Sequence, residues 1–473
     1  MNSIMKNEHL QNIRTSLTLS PTNIDTKNNS EVISHSVSGT LETDFIRDVD
    51  EYFLRYPNTK HVDIYLNDLD GSFRGKRISV DDLHSATKGY YFPISVFSIN
   101  SKGEVIGELS DEIIQNEPDR LCLPVKGTLR PMAYEPEENA QLLLSMRDVN
   151  NLPCPLEPRT ILENVVQQFH KHGLYPVIAP EIEFYLINEH STDIKGQGCY
   201  QMTVPSNYTA FIEKLEKMAS EQKICLTGIV SEAEEGQFEL NLRHSDNVVD
   251  ICENVLAIRR LTSILAREFG YKANFMAKPF SQRAGNGLHF HISMNDAQGN
   301  NIFASPRNEP NEMCRLCLAG LLHLMPASVA IIAPGVNSFR RIRKNLHEPL
   351  FSSWGYNTRA AALRIPCSSA ENRRIEYRLA GADANPYLVM ATILTGMLYG
   401  LEKINDDTVE FLFRSPPALP LFQQEAIETF QKCDYLIENL GHDFSQQWVY
   451  RKTAELTDFE RIVTTEESSL HFN

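Results

Sequence analysis

Apolar and polar residues alternate with a period of two in four segments of the chain, a pattern that predicts β-strands with one apolar face. In APEIEFYLI, Glu181 and Glu183 share the polar face. The polar faces of the other three segments, GQFELNL, GLHFHISM and RRIEYRL, carry Gln237, Glu239 and Asn241; His289 and His291; and Arg374, Glu376 and Arg378. Each segment alone is equally consistent with a strand that turns its charges to water. Together they predict strands whose polar faces line one cavity.

A period near 3.6 predicts helices elsewhere in the chain. RTILENVVQQFHKHG has this period and ends at Gly173, a typical residue at the C-terminus of a helix. Two longer helices are predicted over Asn247–Phe269 and Asn385–Ile404, the second with Asn385 as its N-cap and Pro386 as its first residue. Strand-like segments that carry polar chemistry alternate with these helices, which indicates an α+β fold.

These elements divide the chain into three parts. Residues 1–40 are rich in Asn, Ser and Thr and lack an apolar period, which predicts a disordered tail. Residues 41–150 contain strand-like segments such as HVDIYLNDLDGSFRGKRISV and predict a small β-rich domain. Residues 151–473 begin with a linker punctuated by prolines, contain all four polar-faced segments and predict a large catalytic domain.

Composition narrows the classes of function. The formal net charge of −16 and the lack of a basic stripe argue against nucleic-acid binding. The nine cysteines have no disulfide-framework spacing and no secretory signal is recognised, which predicts reduced thiols and a cytoplasmic protein. Cys314 and Cys317 form a lone C-x-x-C in an apolar helical stretch and are interpreted as structural thiols. The uncharged stretch Pro386–Leu401 is shorter than the ~20 residues of a spanning helix, so a buried core helix and no membrane segment are predicted.

Glutamates and imidazoles that converge on one cavity need cations to offset their charge. Oxygen-rich donors favour Mg²⁺ or Mn²⁺, and Zn²⁺ is disfavoured because no cysteine joins the cluster. Arginines on the same segments supply planar donors for carboxylate and phosphoryl oxygens. Metals together with arginines suggest phosphoryl transfer.

The order of several motifs along the chain resembles the glutamine synthetase superfamily. These motifs are E-x-E at Glu181 and Glu183, EAEEGQFE, KPF followed by GLHFH, NSFRR, RIP, RRIEYR and NPYL. The resemblance implies a small N-terminal β-grasp domain followed by a large catalytic domain with a curved antiparallel sheet flanked by helices. It also implies an ATP-dependent ligase that joins the γ-carboxylate of glutamate to an amine through a γ-glutamyl phosphate.

The same resemblance implies roles for individual residues. The groups expected to hold two divalent ions are Glu183, Glu232 and Glu239 for one ion and Glu181, His289 and Glu376 for the other. The residues expected to contact ATP are His291, Arg359 and Arg364. Those expected to bind glutamate are Gly285, Arg341 and Arg378. The expected catalytic residues are Asp68, Arg359 and Arg341, of which Asp68 takes the proton of the amine. The implied cofactors are ATP and two or three Mg²⁺ or Mn²⁺ ions.

The segment after NSFRR bears on the choice of amine. Where ammonia-using members carry a glutamate that closes over ammonium, this chain has His347, and Glu348 stands one residue out of phase. A histidine lacks the fixed negative charge that a small cation needs, so His347 is expected to set the amine selectivity. Ala284, where ammonia-using members usually have asparagine, indicates a reshaped substrate entrance. The alternative is that His347 is a surface-loop residue without a role, in which case Glu348 could serve after a shift of the loop.

Longer stretches, among them GTLRPMAYEP and SSWGYNTRAAALRIP, resemble the polyamine-using branch of the family, the γ-glutamylputrescine synthetases. The favoured amine is therefore putrescine or another polyamine. Two alternatives stay open: a glutamine synthetase that uses ammonia, and a catalytically silent structural or regulatory homologue. The family completes its active site between subunits, so the resemblance also implies a homo-oligomer, a dodecamer.

Overall fold

The structure is a computed structural model that describes most of the chain. The described residues are 44–100, 102–106, 117–188, 206–306, 309–342 and 351–470. The tail predicted over residues 1–40 lies outside them.

The strands of the described chain are numbered in chain order. They are β1 His61–Asn67, β2 Phe73–Ser79, β3 Tyr90–Pro93, β4 Asp119–Pro124, β5 Arg130–Pro131, β6 Asn139–Met146, β7 Tyr175–Asn188, β8 Leu226–Ser231, β9 Gln237–Leu242, β10 Tyr271–Asn274, β11 Leu288–Asn295, β12 Trp354–Tyr356, β13 Leu363–Ile365 and β14 Ile375–Tyr377.

The helices are numbered in the same way. They are α1 over 44–55, α2 Pro158–Lys171, α3 Ser206–Glu221, α4 Val248–Glu268, α5 Glu312–Ile332, α6 Val336–Ile342, α7 Pro386–Lys403, α8 Asp406–Arg414, α9 Gln423–Gln431, α10 Asp434–Leu440, α11 His442–Glu460 and α12 Thr465–Leu470. Two 3-10 helices, Val80–Lys88 and Ile94–Ser98, flank β3.

The first sheet lies in the N-terminal part of the chain. Its strand order is β2-β1-β6-β4-β3, with β5 paired to β6. β1 pairs with β2 in antiparallel and with β6 in parallel orientation. The alternation in HVDIYLN buries Val62, Ile64 and Leu66 completely, as a period of two requires. The β-rich character predicted for this part is thus present, while the boundaries at residues 40 and 150 stay predictions.

The second sheet has the order β12-β13-β14-β11-β7-β9-β8, with β10 paired to β7. The pairs of β7 with β9, β10 and β11 are antiparallel, and β12 with β13 forms a parallel pair. The four segments with predicted polar faces all contribute strands to this sheet, as β7, β9, β11 and β14. Since the order β14-β11-β7-β9 makes these four strands consecutive, their polar faces form one continuous surface.

Helices α5 and α7 pack against each other through glycines. A Cβ atom added to Gly320 of α5 would lie 2.6 Å from Cα of Gly400 and would also collide with the carbonyl oxygen of Gly396, both in α7. Residues four apart share one face of a helix. The two glycines of α7 therefore form a groove that accepts the backbone of α5.

The apolar helices of the chain are core elements. Residues of Pro386–Leu401 are almost all buried in α7, as predicted, and Asn385 caps the helix by accepting a hydrogen bond from Tyr387 N. The described chain contains one helix long and apolar enough to cross a membrane, and it is α5, a different helix. Because 83% of its most apolar window is buried inside the protein, α5 has the environment of a core helix.

Candidate active site

Cross-strand pairing brings the predicted acidic residues and imidazoles together. On neighbouring strands, His289 of β11 stands opposite Glu181 of β7. Glu183 of β7 stands opposite Glu239 of β9, and His291 of β11 stands opposite Glu376 of β14. Residues directly opposite each other project from the same face of a sheet. The register therefore gathers these side chains on one surface.

Two groups of possible metal ligands result, and both contain Glu181. Glu181, Glu239 and His289 offer ligand atoms within 4.8 Å of one another, and so do Glu181, His291 and Glu376. These groups are not the two sets implied by the family resemblance, since His291 replaces His289 beside Glu376. The division of the ligands between two ions stays a prediction.

The imidazole of His289 has the surroundings of a metal ligand. Its Nδ1 atom is buried and makes no hydrogen bond with the described residues. It lies 3.7 Å from Glu181 Oε2 and 3.9 Å from Glu183 Oε1, distances too long for hydrogen bonds. A buried nitrogen that faces two carboxylates without a bond to either is well placed to share a cation with them.

Charge repulsion within the cluster points the same way. Burial, reinforced by Glu181 and other nearby carboxylates, raises the pKa of Glu239 to about 8. Burial and the charge of Glu183 also raise the pKa of Glu232. Burial opposes the charge of Glu181 as well, but the imidazoles of His289 and His291 outweigh it and lower the pKa of this carboxyl. Carboxylates that repel one another in this way fit a site for divalent cations.

Hydrogen bonds define which nitrogen of His291 carries a proton. Arg374 Nε donates to His291 Nδ1 at 3.1 Å, so Nδ1 is the acceptor. His291 Nε2, 2.9 Å from Glu181 Oε1, must then carry the hydrogen and donate it. A protonated Nε2 suits a contact with a phosphate oxygen better than metal ligation. This tautomer supports the role in ATP binding that the sequence predicts for His291.

The predicted arginines surround Glu376, which is 1% exposed. Arg364 Nη1 donates to Glu376 Oε2 at 2.7 Å, and Arg378 pairs with Glu376 Oε1. Burial opposes the charge of Glu376, but the charges of Arg378 and its other cationic neighbours lower the pKa of the carboxyl. Arg359 is exposed at the edge of this group, and its carbonyl oxygen accepts from Arg378 Nε.

Arg341 and Gly285 are packed against each other. Arg341 is 2% exposed and donates to the carbonyl oxygens of Leu379, Ala380 and Arg378 at 2.9 to 3.3 Å. A Cβ atom at Gly285 would lie 2.6 Å from the carbonyl oxygen of Ala277 and 3.0 Å from Arg341 Cγ. The position therefore requires glycine, and Arg341 supports the backbone around it.

Comparisons with known proteins agree with this geometry. The family model of the glutamine synthetase catalytic domain matches residues 155–471. The chain belongs to the glutamine synthetase family. It is 40% identical over 445 residues to the γ-glutamylputrescine synthetase of Escherichia coli, covering 89% of this chain and 94% of that enzyme. It is 27% identical to the glutamate–isopropylamine ligase of a Pseudomonas species, covering 87% of this chain and 94% of that enzyme.

Solved structures agree on the fold. A ligand-free structure of GmaS aligns with a TM-score of 0.76 at 24% identity, covering 89% of this chain and 98% of that chain. Membership of the glutamine synthetase family confirms the family, the α+β fold class and the carbon–nitrogen ligase class that the motifs predicted.

Asp68 and His347 are two further residues with roles expected in this family. Asp68 lies in the turn between β1 and β2, is fully buried, and accepts hydrogen bonds from Arg74 Nε and from the amides of Asp70 and Ser72. Burial raises the pKa of Asp68. His347, the residue expected to select the amine, lies outside the described residues. Both roles stay predictions.

A cavity of about 900 Å³ opens beside the cluster and is lined in part by Glu181 and His291. Its lining also contains polar residues to which the sequence analysis gave no individual role: Asn241, Arg243, His244, Asn300, Asn372 and Arg374. Asn241 shares the polar face of β9 and Arg374 immediately precedes β14, so the alternation contained a signal for both. The other four lie in loops, where no periodicity marks a position.

Proposed function

We propose that this protein uses ATP to join the γ-carboxylate of glutamate to a primary amine, and that the amine is putrescine or another polyamine. The ligase chemistry is supported by the cluster in which Glu181 joins two groups of possible metal ligands. The polyamine is supported by the likeness to the γ-glutamylputrescine synthetase of E. coli, which extends over 89% of this chain.

The donor set fits divalent ions. The residues that would hold them are Glu181, Glu183, Glu232, Glu239, His289 and Glu376, five carboxylates and one imidazole, which is a hard, oxygen-rich set. Two or three Mg²⁺ or Mn²⁺ ions bound there would offset the negative charge of the ATP phosphates and of the transferring phosphoryl group.

The protein's own groups bind and orient the reactants. A carboxylate is a poor acyl donor because its leaving group would be oxide, so the γ-carboxylate oxygen first takes the γ-phosphoryl group of ATP, and ADP leaves. His291 Nε2–H, Arg359 and Arg364 supply donors toward the phosphate oxygens. Arg341, Arg378 and Gly285 position glutamate and its phosphorylated form.

The second step forms the amide. The amine nitrogen attacks the γ-carbonyl carbon, the bond from this carbon to the phosphate oxygen breaks, and phosphate leaves with the electron pair. The amine must lose a proton to become nucleophilic, and we assign this proton to Asp68. Asp68 lies in a turn of the small domain. Its role therefore favours a homo-oligomer, a dodecamer, in which the small domain of one subunit faces the large domain of the next.

A cytoplasmic location belongs to the same proposal. The eight cysteines in the described chain are all free thiols, which agrees with a reducing compartment.

Phosphate release by the purified protein with ATP, Mg²⁺ and glutamate tests the proposal. Putrescine at millimolar concentration is expected to support turnover well above that with ammonium. Equal or faster turnover with ammonium would identify a glutamine synthetase instead. No phosphate release with ammonium, putrescine, spermidine, ethanolamine or a monoamine would identify a catalytically silent homologue.

A further inference from the structure

The segment Phe280 to Gly285 lies between β10 and β11 and has no regular secondary structure. Lys278 Nζ donates to the carbonyl oxygen of Arg283, and three more side chains hold the backbone from β7, from the turn between β8 and β9, and from the start of β9. The amide of Ala284 donates to Glu234 Oε1 at 3.2 Å, and its carbonyl oxygen accepts from Tyr185 Oη at 2.9 Å. Gln237 Nε2 donates to the carbonyl oxygen of Gly285 at 2.9 Å. These three side chains, Tyr185, Glu234 and Gln237, are called the loop clamp.

Gly285 explains why such a clamp is needed. Packing against Ala277 and Arg341 leaves no room for a Cβ atom at this position, so only glycine fits. Glycine, however, has more backbone freedom than any other residue and loses the most on ordering. A glycine whose conformation matters for binding therefore has to be restrained by its neighbours.

The loop clamp restrains the peptide groups before and after Gly285. Glu234 and Tyr185 hold the two polar groups of Ala284, and Gln237 holds the carbonyl group that follows. Tyr185 is 1% exposed, and its ring makes an edge contact with Phe280 at 5.2 Å between centroids. Tyr185 therefore contacts the loop at two points, the ring of Phe280 and the carbonyl oxygen of Ala284.

The clamp and the acidic cluster are built on the same strands. Tyr185 follows Glu183 by two residues on β7, and Gln237 precedes Glu239 by two on β9, so each pair shares a strand face. Farther along the loop, the amide of Gly287 donates to Glu183 Oε2 at 2.7 Å. The geometry of the loop is thus tied to the carboxylates that it faces.

We propose that Glu234 and Tyr185 are positioning residues that hold Gly285 in the conformation that binds the substrate glutamate. This inference rests on the proposed function, in which Gly285 contacts glutamate. Neither side chain is assigned a contact with glutamate, with ATP or with a metal ion. Their effect is pre-organisation, since a loop already ordered loses less entropy when the substrate binds.

Steady-state kinetics with ATP, Mg²⁺, glutamate and putrescine separate this role from others. Glu234→Ala removes the acceptor of the Ala284 amide, whereas Glu234→Gln keeps an acceptor oxygen of the same reach. Tyr185→Phe removes only the hydroxyl. Glu213→Ala, which removes an exposed acid on α3, is the matched control for the loss of one negative charge.

Glu234→Ala removes the hydrogen bond that the Ala284 amide donates to a carboxylate. Because a bond to a charged acceptor is lost, we expect KM for glutamate to rise about tenfold. We expect kcat and KM for ATP to stay within about twofold of wild type, because no group at the metal cluster or the phosphates changes. Tyr185→Phe is expected to act in the same direction more weakly. Glu234→Gln is expected to restore KM for glutamate almost to the wild-type value, and Glu213→Ala to leave it unchanged.

Two outcomes would refute the positioning role of Glu234 and Tyr185. One is an unchanged KM for glutamate in both Glu234→Ala and Tyr185→Phe. The other is a parallel rise of both KM values with a fall in kcat, which would indicate general damage to the site. If Glu234→Ala fails to fold, the single variants Glu234→Gln and Tyr185→Phe decide the question. Tyr185→Phe must then raise KM for glutamate while Glu234→Gln leaves it near the wild-type value. Wild-type protein without ligase activity for any amine would instead refute the proposed function.

Discussion

Glu376 illustrates how one residue can serve two sets of partners. Its carboxylate is buried between Arg364 and Arg378, and each arginine takes one of its oxygens. The same carboxylate has an oxygen within 4.8 Å of possible ligand atoms of Glu181 and His291, so it also lies within reach of a shared cation. Because the arginines keep it ionised without a metal, it is ready to bind a cation at neutral pH.

Replacing this carboxylate tests the site directly. Glu376→Gln keeps the size of the side chain but removes its negative charge, and we expect kcat/KM to fall at least about a hundredfold. The far-ultraviolet circular dichroism spectrum should stay that of the wild type. Glu410→Gln, which changes a half-exposed partner of Arg315, is the control and should keep full activity. Activity of Glu376→Gln within twofold of wild type would exclude Glu376 from the site.

Glu157 is a second residue whose environment makes a measurable prediction. It is buried before α2 and accepts hydrogen bonds from Ser145 and Thr160. Burial raises the pKa of Glu157 to about 7. The folded protein therefore retains this proton up to about pH 7, whereas the unfolded chain releases it near pH 4.5. Stability from this group is complete below about pH 4 and is lost as pH rises toward 7 and above.

Glu157→Gln imitates the protonated form and separates this effect from other titrations. We expect the variant to be more stable than wild type at pH 8, by on the order of 2–3 kcal/mol, and the difference to vanish near pH 4. Urea unfolding at several pH values measures it. A stability difference that does not change between pH 4 and pH 8 would contradict the assignment.

At the scale of elements, the site depends on the order of four strands. Alternation within β7, β9, β11 and β14 predicted which side chains share a face of each strand. The sheet order β14-β11-β7-β9 then makes those faces one surface. A different local feature joins helices α5 and α7. Glycines at their contact allow the two backbones to approach closely.

Gly320→Ala tests this close approach. The added methyl group would collide with backbone atoms of Gly396 and Gly400, which cannot move aside as a flexible side chain does. We expect a loss of about 1–3 kcal/mol in the free energy of unfolding, the usual range for overpacking. Gly228→Ala is the control, because a Cβ atom there meets nothing within 4 Å. Equal stability of the two variants would refute a tight helix contact.

At the scale of the whole molecule, an ion cluster joins the turn between β1 and β2 to α11 near the end of the chain. Asp70 pairs with Arg451 and, at 3.0 Å, with Lys452 Nζ, and both cations also pair with Glu455. Arg451 is fully buried and Lys452 is 3% exposed. The turn that carries Asp68 is therefore anchored to the C-terminal helices.

Asp70→Asn leaves these buried cations with one carboxylate instead of two. We expect a loss of about 2–3 kcal/mol at pH 7, somewhat less than for a completely buried pair. Burial opposes the charge of Asp70, but Lys452 and Arg451 lower its pKa, so its contribution is complete above about pH 4 and disappears as pH falls further. Asp458→Asn, in an exposed pair with Arg461, should change stability by less than about 0.5 kcal/mol. A similar loss of stability in both variants would show that the Asp70 cluster stabilises the protein no more than an exposed ion pair does.

Alternation of apolar and polar residues determined which strands exist and which face of each is polar, because a period of two is a local property of the backbone. Helix ends at Asn385 and Gly173 were equally local, and motif order indicated the family. Only the tertiary structure decided which strands are neighbours, since pairing joins residues far apart in the chain. It placed His291 with Arg374, and buried Asp68 in a turn held by Arg74. It also recruited Tyr185 and Glu234 to hold Ala284, because hydrogen bonds between a loop and distant strands leave no periodic trace in the sequence.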